Sequence, residues 1–184
     1  YSDFFYMRHD ELWRESAMKK LPELLDSTGM LACGEDLGMI PACVPDVMDD
    51  LKILSLEIQR MPKTSYETFA DTSRYPSLCV CTTSTHDMTP IRAWWEEDRK
   101  LTDRFFHEVV GGQGDTPYFC EPWVCRYVLD RHLTSPAMFT VIPLQDWLSM
   151  DQNIRLEDPT LERINVPANS RHYWRYRMHL TIEQ

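Results

Sequence analysis

Apolar and polar positions alternate along the chain in blocks that switch between a helical and a strand period. Leu12, Trp13, Ala17, Leu21, Leu24 and Leu25 recur at helical spacing. They predict a helix over 8–28, with a kink or restart at Pro22 and a stop at Gly29. The run Met30-Leu-Ala-Cys-Gly34 reads as a strand buried on both faces, followed by a turn at Glu35 and Asp36 between Gly34 and Gly38. A short helix is predicted from Val44 to Leu51, and a second strand over 53–58. Residues 59–76 are polar and contain Pro62 and Pro76, so they read as a loop. A third strand is predicted over 78–82, ending at His86-Asp87. A helix then starts near Thr89-Pro90, where Pro90 suits the first turn and a Thr or Asp87 can cap it. Ile91, Trp94, Trp95 and Leu101 form its apolar stripe. Gly111-Gly-Gln-Gly114 lacks the Lys-Ser/Thr of a phosphate loop and reads as a connector. A helix over 121–134, a fourth strand over 138–142 closed by Pro143, and a helical turn over 144–150 complete the series. The tail over 151–184 is polar, with arginines and aromatics interleaved.

Strands and helices thus alternate four times at the spacing of βα units. The expected fold class is α/β. Four such units correspond to half of a TIM (β/α)8 barrel, with an open doubly wound sheet as the alternative. No Gly-x-Gly-x-x-Gly follows any strand, which disfavours a nucleotide-binding version.

Composition narrows the function. The chain has 184 residues, 43% hydrophobic and 26% charged, enough for one domain with a core. Its net charge of −10 argues against a nucleic-acid partner. No apolar run approaches the ~20 residues needed to span a bilayer, so no membrane role is expected. Six cysteines are present without Cys-x-x-Cys spacing. They read as free, mostly buried thiols, as in a reducing compartment, rather than as disulfides or a metal site. The chain opens on Tyr1 within an aromatic run, which reads as a cut from something longer.

Two stretches carry candidate chemistry. Glu35 and Asp36 follow the first predicted strand, and Ser84-Thr-His-Asp87 follows the third. Carboxylates at the C-terminal ends of parallel strands are where an α/β barrel keeps its chemistry. The structural alternatives are a helix cap or solvated turn for the acidic pair, and an N-cap with a structural histidine for His86-Asp87. Trp94 and Trp95 have the aromatic faces that stack on sugars, but their place on an amphipathic helix favours the core.

Several of these residues recur as a pattern. Gly34-Glu-Asp-Leu-Gly-Met-Ile-Pro41, Ser84-Thr-His-Asp87, Arg92-Ala-Trp-Trp-Glu-Glu-Asp98, Pro143-Leu-Gln-Asp146 and Glu162-Arg-Ile-Asn-Val-Pro167 stand in one order along the chain. Together they resemble the amylomaltases, the 4-α-glucanotransferases of glycoside hydrolase family 77. Glu11-Leu-Trp-Arg14, Lys20-Leu-Pro22, Ile58-Gln-Arg-Met-Pro62 and His172-Tyr-Trp-Arg-Tyr-Arg177 resemble the long, plant-cytosolic type. The resemblance covers essentially the whole chain, read as residues 1–184 of one catalytic domain truncated on its N-terminal side. It implies transfer of glycosyl units from an α-1,4-glucan or malto-oligosaccharide donor to a sugar acceptor with retention, without cofactor or metal, in the cytoplasm. Retention needs a nucleophilic carboxylate and a second carboxyl serving as acid and then base. Carried over motif by motif, Glu35 is the general acid/base, held protonated by a raised pKa. Asp87 stabilises the oxocarbenium-like transition state, and His86 and Asn165 bind the sugar. The family's nucleophilic aspartate belongs to an Arg-x-Asp motif on the preceding strand. Arg8-His-Asp10 is a poor substitute, so the nucleophile is expected outside this chain and the chain alone is expected to be inactive. Ala168-Asn169 stand where bacterial relatives usually continue with Gly-Thr, which leaves the acceptor open. A non-catalytic glucan-binding module is the alternative function. An acyl hydrolase is disfavoured by the lack of a Gly-x-Ser-x-Gly elbow.

Overall fold

The structure, a computed structural model, describes residues 8–181 and 183; the aromatic run at Tyr1–Tyr6 lies outside them. Three short strands, β1 (Ser55–Ile58), β2 (Cys79–Thr82) and β3 (Phe139–Thr140), form a parallel sheet in chain order. The register sets Leu56 beside Val80 and Val80 beside Phe139. Parallel neighbours need crossovers; the one from β1 to β2 is a loop, and the one from β2 to β3 is helical. Helix α1 (His9–Asp26) and α2 (Val44–Asp50) precede β1. Helices α3 (Ile91–Glu97), α4 (Arg99–Phe105) and α5 (Pro122–Leu133) lie between β2 and β3, and α6 (Leu144–Leu148) follows.

The strand expected over 30–34 is reduced to one parallel bridge, Cys33 to Leu54. The Leu54 amide donates to the Ala32 carbonyl at 3.0 Å, and the Gly34 amide to the Leu54 carbonyl at 2.8 Å. The next β1 amide, Leu56 N–H, goes instead to Oδ1 of Asp36 at 2.9 Å. A side-chain carboxylate has taken the ladder position that Gly34 would have held, and pairing stops there. Met30 and Leu31 are exposed, so this run is not buried on both faces. The fourth expected strand is likewise shorter. Val141 N–H still donates to the Cys81 carbonyl at 2.9 Å, but Pro143 has no N–H to continue the ladder.

The helix expected from residue 90 breaks at Asp98, whose backbone is extended and whose carboxylate caps α4 by accepting from the Lys100 and Leu101 amides. Pro22 does not interrupt α1, which runs on through it. The 59–76 segment contains one 3₁₀ turn, Thr72–Arg74.

The main core lies between α3, α4 and α5. Ile91, Trp94, Trp95, Phe105, Val124, Val128 and Leu129 pack there. Trp95 is fully buried, and its indole N–H donates to the Pro117 carbonyl at 3.0 Å. Both tryptophans are therefore core residues. A π-helical turn, Phe106–Val110, ends at Gly111 in the left-handed conformation (φ 73°). A methyl group on the next residue, Gly112, would overlap the Phe106 ring. Gly112→Ala should therefore cost about 1–3 kcal/mol, the usual penalty for overpacking, read as a lower denaturant midpoint with unchanged slope. All six cysteines are free; Cys79, Cys81, Cys120 and Cys125 are buried.

Side chains alternate across a strand, so the sheet has two distinct faces. Cys79 and Cys81 point to the face packed under Tyr75 and the end of α5. Leu56, Val80 and Phe139 share the other. With Thr82 and Val141 they line an open, largely apolar cleft of about 490 Å³, where Phe139 and Val141 remain about half exposed.

Candidate functional site

The two carboxylates after the first apolar run have separated. Asp36 turns inward and is buried. Besides accepting from Leu56 N–H, it accepts from the Lys63 ammonium at 2.7 Å, and Lys63 also donates to Glu57 at 2.7 Å. Asp36 is thus a structural link between the 34–38 turn, β1 and the loop after β1. Glu35 turns outward. It lines the cleft on the uncovered sheet face, and its Oε1 accepts a local bond from Leu37 N–H at 2.9 Å.

His86 and Asp87 stand on the loop after β2. The Asp87 amide donates to Thr85 Oγ1 at 3.3 Å, and Thr85 forms part of the cleft wall. The Asp87 carboxylate meets two groups. Asn165 Nδ2 donates to Oδ1 at 2.5 Å, across 78 positions of sequence, and His86 Nε2 lies 3.4 Å from Oδ2. His86 in turn lies against Trp174, with ring centroids 5.0 Å apart and planes tilted by 41°. Asp87 and His86 keep about half of their side-chain surface exposed, whereas Asn165 is buried. Three of the four residues singled out in the sequence therefore form one cluster. Glu35 stands apart from it, in the cleft whose wall includes Thr85, the residue that accepts from the Asp87 amide. Trp174, on the aromatic tail, is a neighbour of this cluster that its sequence context did not single out.

The helix after this loop is not capped locally. Neither Thr89 nor Asp87 does so; the Ile91 amide donates to Oδ1 of Asp146 at 2.9 Å. Asp146 is fully buried and accepts two further bonds on Oδ2, from Thr83 Oγ1 at 2.6 Å and Ser84 Oγ at 2.8 Å. Three donors compensate the buried charge. From the other side, Arg60 Nη2 donates to the carbonyls of Thr83 and Thr89 at 2.8 and 2.9 Å. Its guanidinium carbon lies 4.9 Å from the centre of the Trp94 ring. Burial pulls the Arg60 guanidinium down to about 10, with Asp146 and Glu97 pulling back, so it stays charged at neutral pH.

The segment that brings Asn165 to Asp87 is held by an ion pair. Arg92 on α3 donates to Oε1 of Glu162 at 2.8 Å, and both side chains are buried. Gln145 Nε2 donates to the Glu162 carbonyl at 3.2 Å. Burial pushes the Glu162 carboxyl up to about 7 despite Arg92, and its Oε2 is buried without a hydrogen-bond partner. Among the described residues, no group of three or more His, Cys, Asp or Glu side chains is placed to hold a metal ion. Among the described residues, no helix is long and apolar enough to cross a membrane.

Parallel strands with polar and acidic residues beyond their C-terminal ends define the class: an α/β protein whose candidate site lies in the loops that follow its strands. Comparison with known proteins identifies the family. The profile of glycoside hydrolase family 77, described as 4-alpha-glucanotransferase, matches residues 1–181. The chain belongs to this family. It is 43% identical over 183 residues to the 4-alpha-glucanotransferase DPE2 of Oryza sativa subsp. japonica, covering 100% of this chain and 19% of that protein. It is 30% identical over 167 residues to a 4-alpha-glucanotransferase of Chlamydia muridarum, covering 89% of this chain and 31% of that protein. Its fold is similar to that of an amylomaltase from Streptococcus agalactiae solved in complex with acarbose. That match has a TM-score of 0.66 at 17% identity and covers 89% of this chain and 31% of the other. The chain thus spans 19–31% of the length of these relatives.

Proposed function

We propose that this chain is the C-terminal part of a (β/α)8 catalytic domain in a cytoplasmic 4-α-glucanotransferase of carbohydrate metabolism. The observation that carries the functional reading is the Asp87–His86–Asn165 cluster, centred on the loop that continues from Ser84 and Thr85 in the wall of the cleft lined by Glu35. Parallel sheets are normally covered on both faces, and this one leaves Phe139 and Val141 open to the cleft. Further barrel strands would cover that face and enclose Glu35. Enclosure is what keeps a general acid protonated until it reaches the leaving oxygen.

In this reading, Glu35 donates a proton to the glycosidic oxygen and then deprotonates the acceptor hydroxyl. Asp87, oriented by the Asn165 amide, holds sugar hydroxyls and offsets the positive charge of the oxocarbenium-like transition state. His86 binds the same sugar. The nucleophilic aspartate lies outside this chain, about 5–5.5 Å from Glu35 as retention requires. The donor is an α-1,4-glucan or malto-oligosaccharide and the acceptor another sugar hydroxyl. The acarbose bound by the streptococcal relative is consistent with such a donor. No cofactor or metal enters the reaction. The 184-residue chain alone should not disproportionate maltotriose, because without its nucleophile the covalent intermediate cannot form.

The test is label transfer in the full-length protein. Incubated with labelled glucose and unlabelled maltose, the wild type should place label in maltose, and Glu35→Gln should not. Intact sugar binding without transfer in the wild type would instead establish a glucan-binding module.

A further inference from the structure

The loop over 83–91 carries His86 and Asp87, and both of its ends are fastened by charged residues from neighbouring βα units. At its start, the Thr83 and Ser84 hydroxyls donate to Oδ2 of Asp146, and the Thr83 carbonyl accepts from Arg60. At its end, the Thr89 carbonyl accepts from Arg60 and the Ile91 amide donates to Oδ1 of Asp146. Between these points, the exposed middle of the loop presents His86 and Asp87. Asp146 enters from α6 and Arg60 from the end of β1, so the loop is gripped from both sequence directions by residues far from it in the chain. Neither clamp residue is hydrogen-bonded to Asp87.

We propose that Asp146 and Arg60 are positioning residues that clamp the 83–91 loop and so fix Asp87 for transition-state stabilisation. The proposal rests on the glucanotransferase reading. Its physical content is that an unclamped loop still presents Asp87, but at the wrong distance. Displacements of about 1 Å at a reacting centre cost about a hundredfold in rate. Because His86 and Asp87 both ride on this loop, the lost transition-state stabilisation is read in kcat/KM.

The decisive substitution is Asp146→Asn in the full-length protein. Asparagine keeps an acceptor for Ile91 N–H but offers an amide group where two hydroxyls now donate. Glucosyl transfer from maltotriose should fall about a hundredfold in kcat/KM. In an Asp87→Ala background the same substitution should cost far less than in the wild type, because most of its effect runs through Asp87. Hydrogen exchange of peptides covering 83–91 should accelerate. Losses that multiply in the double variant, or exchange over 83–91 at the wild-type rate, would overturn the clamp. Should Asp146→Asn not fold by circular dichroism, Arg60→Met carries the same cycle by removing both carbonyl contacts from the opposite side. A wild type without glucosyl transfer, or an Asp87→Ala variant as active as wild type, defeats the function reading and not the clamp. The exchange measurement still reports the clamp in that case.

Discussion

Glu35→Gln should lower glucosyl transfer by about two to four orders of magnitude, the range that a positioned general acid supplies, with sugar binding largely retained. The amide preserves size and can still accept the Leu37 N–H bond now made by Oε1 at 2.9 Å, so the turn should not move. What it removes is the exchangeable proton. A donor with a good leaving group, such as a glycosyl fluoride, needs little acid assistance and should recover much of the first step. Return of the glycosyl unit to an acceptor would stay slow, because in the proposed mechanism the same carboxylate serves there as base. Asp36→Asn, one residue away, makes a contrasting control. Asp36 is buried between Leu56 N–H and Lys63, so its substitution should act on folding stability. Equal effects of the two changes on transfer and on unfolding midpoint would refute this division of labour.

Arg92→Met should be the most destabilising of the substitutions considered, and its cost should depend on pH. Removing one partner of a buried ion pair costs about 3–5 kcal/mol because the other charge is stranded. The stranded group is Glu162, whose side chain is 2% exposed. Its carboxyl already sits at about 7 in the folded protein against an ordinary value of 4.5. With the folded value raised, the folded state binds the proton more tightly. Stability from protonated Glu162 is therefore complete below about 4.5 and is lost as pH rises through about 7. Without Arg92, the neutral form is favoured further, since that guanidinium is the main influence opposing burial. The loss caused by Arg92→Met should therefore be largest near pH 8 and shrink toward pH 5. Chemical unfolding of wild type and variant at the two pH values checks this. Equal losses at both would mean that Glu162 is not the stranded charge. Because Glu162 opens the segment leading to Asn165, transfer activity should fall along with stability.

The order of elements was legible from the residues alone. Helical spacing in 8–28, 44–51 and 121–134 and the apolar runs at 53–58 and 78–82 correspond to α1, α2, α5, β1 and β2 within a few residues. These are local signals, written in side-chain periodicity and in Pro and Gly positions. Glu35, His86-Asp87 and Asn165 could be named as candidates because they sit in short ordered motifs that resemble the family's. Tertiary structure decided the rest. Pairing over 30–34 stops because the Asp36 side chain competes for a β1 amide, and no local pattern shows which of two adjacent carboxylates will turn inward. The cap of α3 comes from Asp146, 55 positions away, rather than from the neighbouring Thr or Asp. Asp87 acquires its partner across 78 positions, through a segment docked by Arg92 and Glu162. Periodicity reports what a residue does to its own helix or strand. It carries no record of which distant buried charge will find which donor, because that choice is made by desolvation once the chain has closed around both.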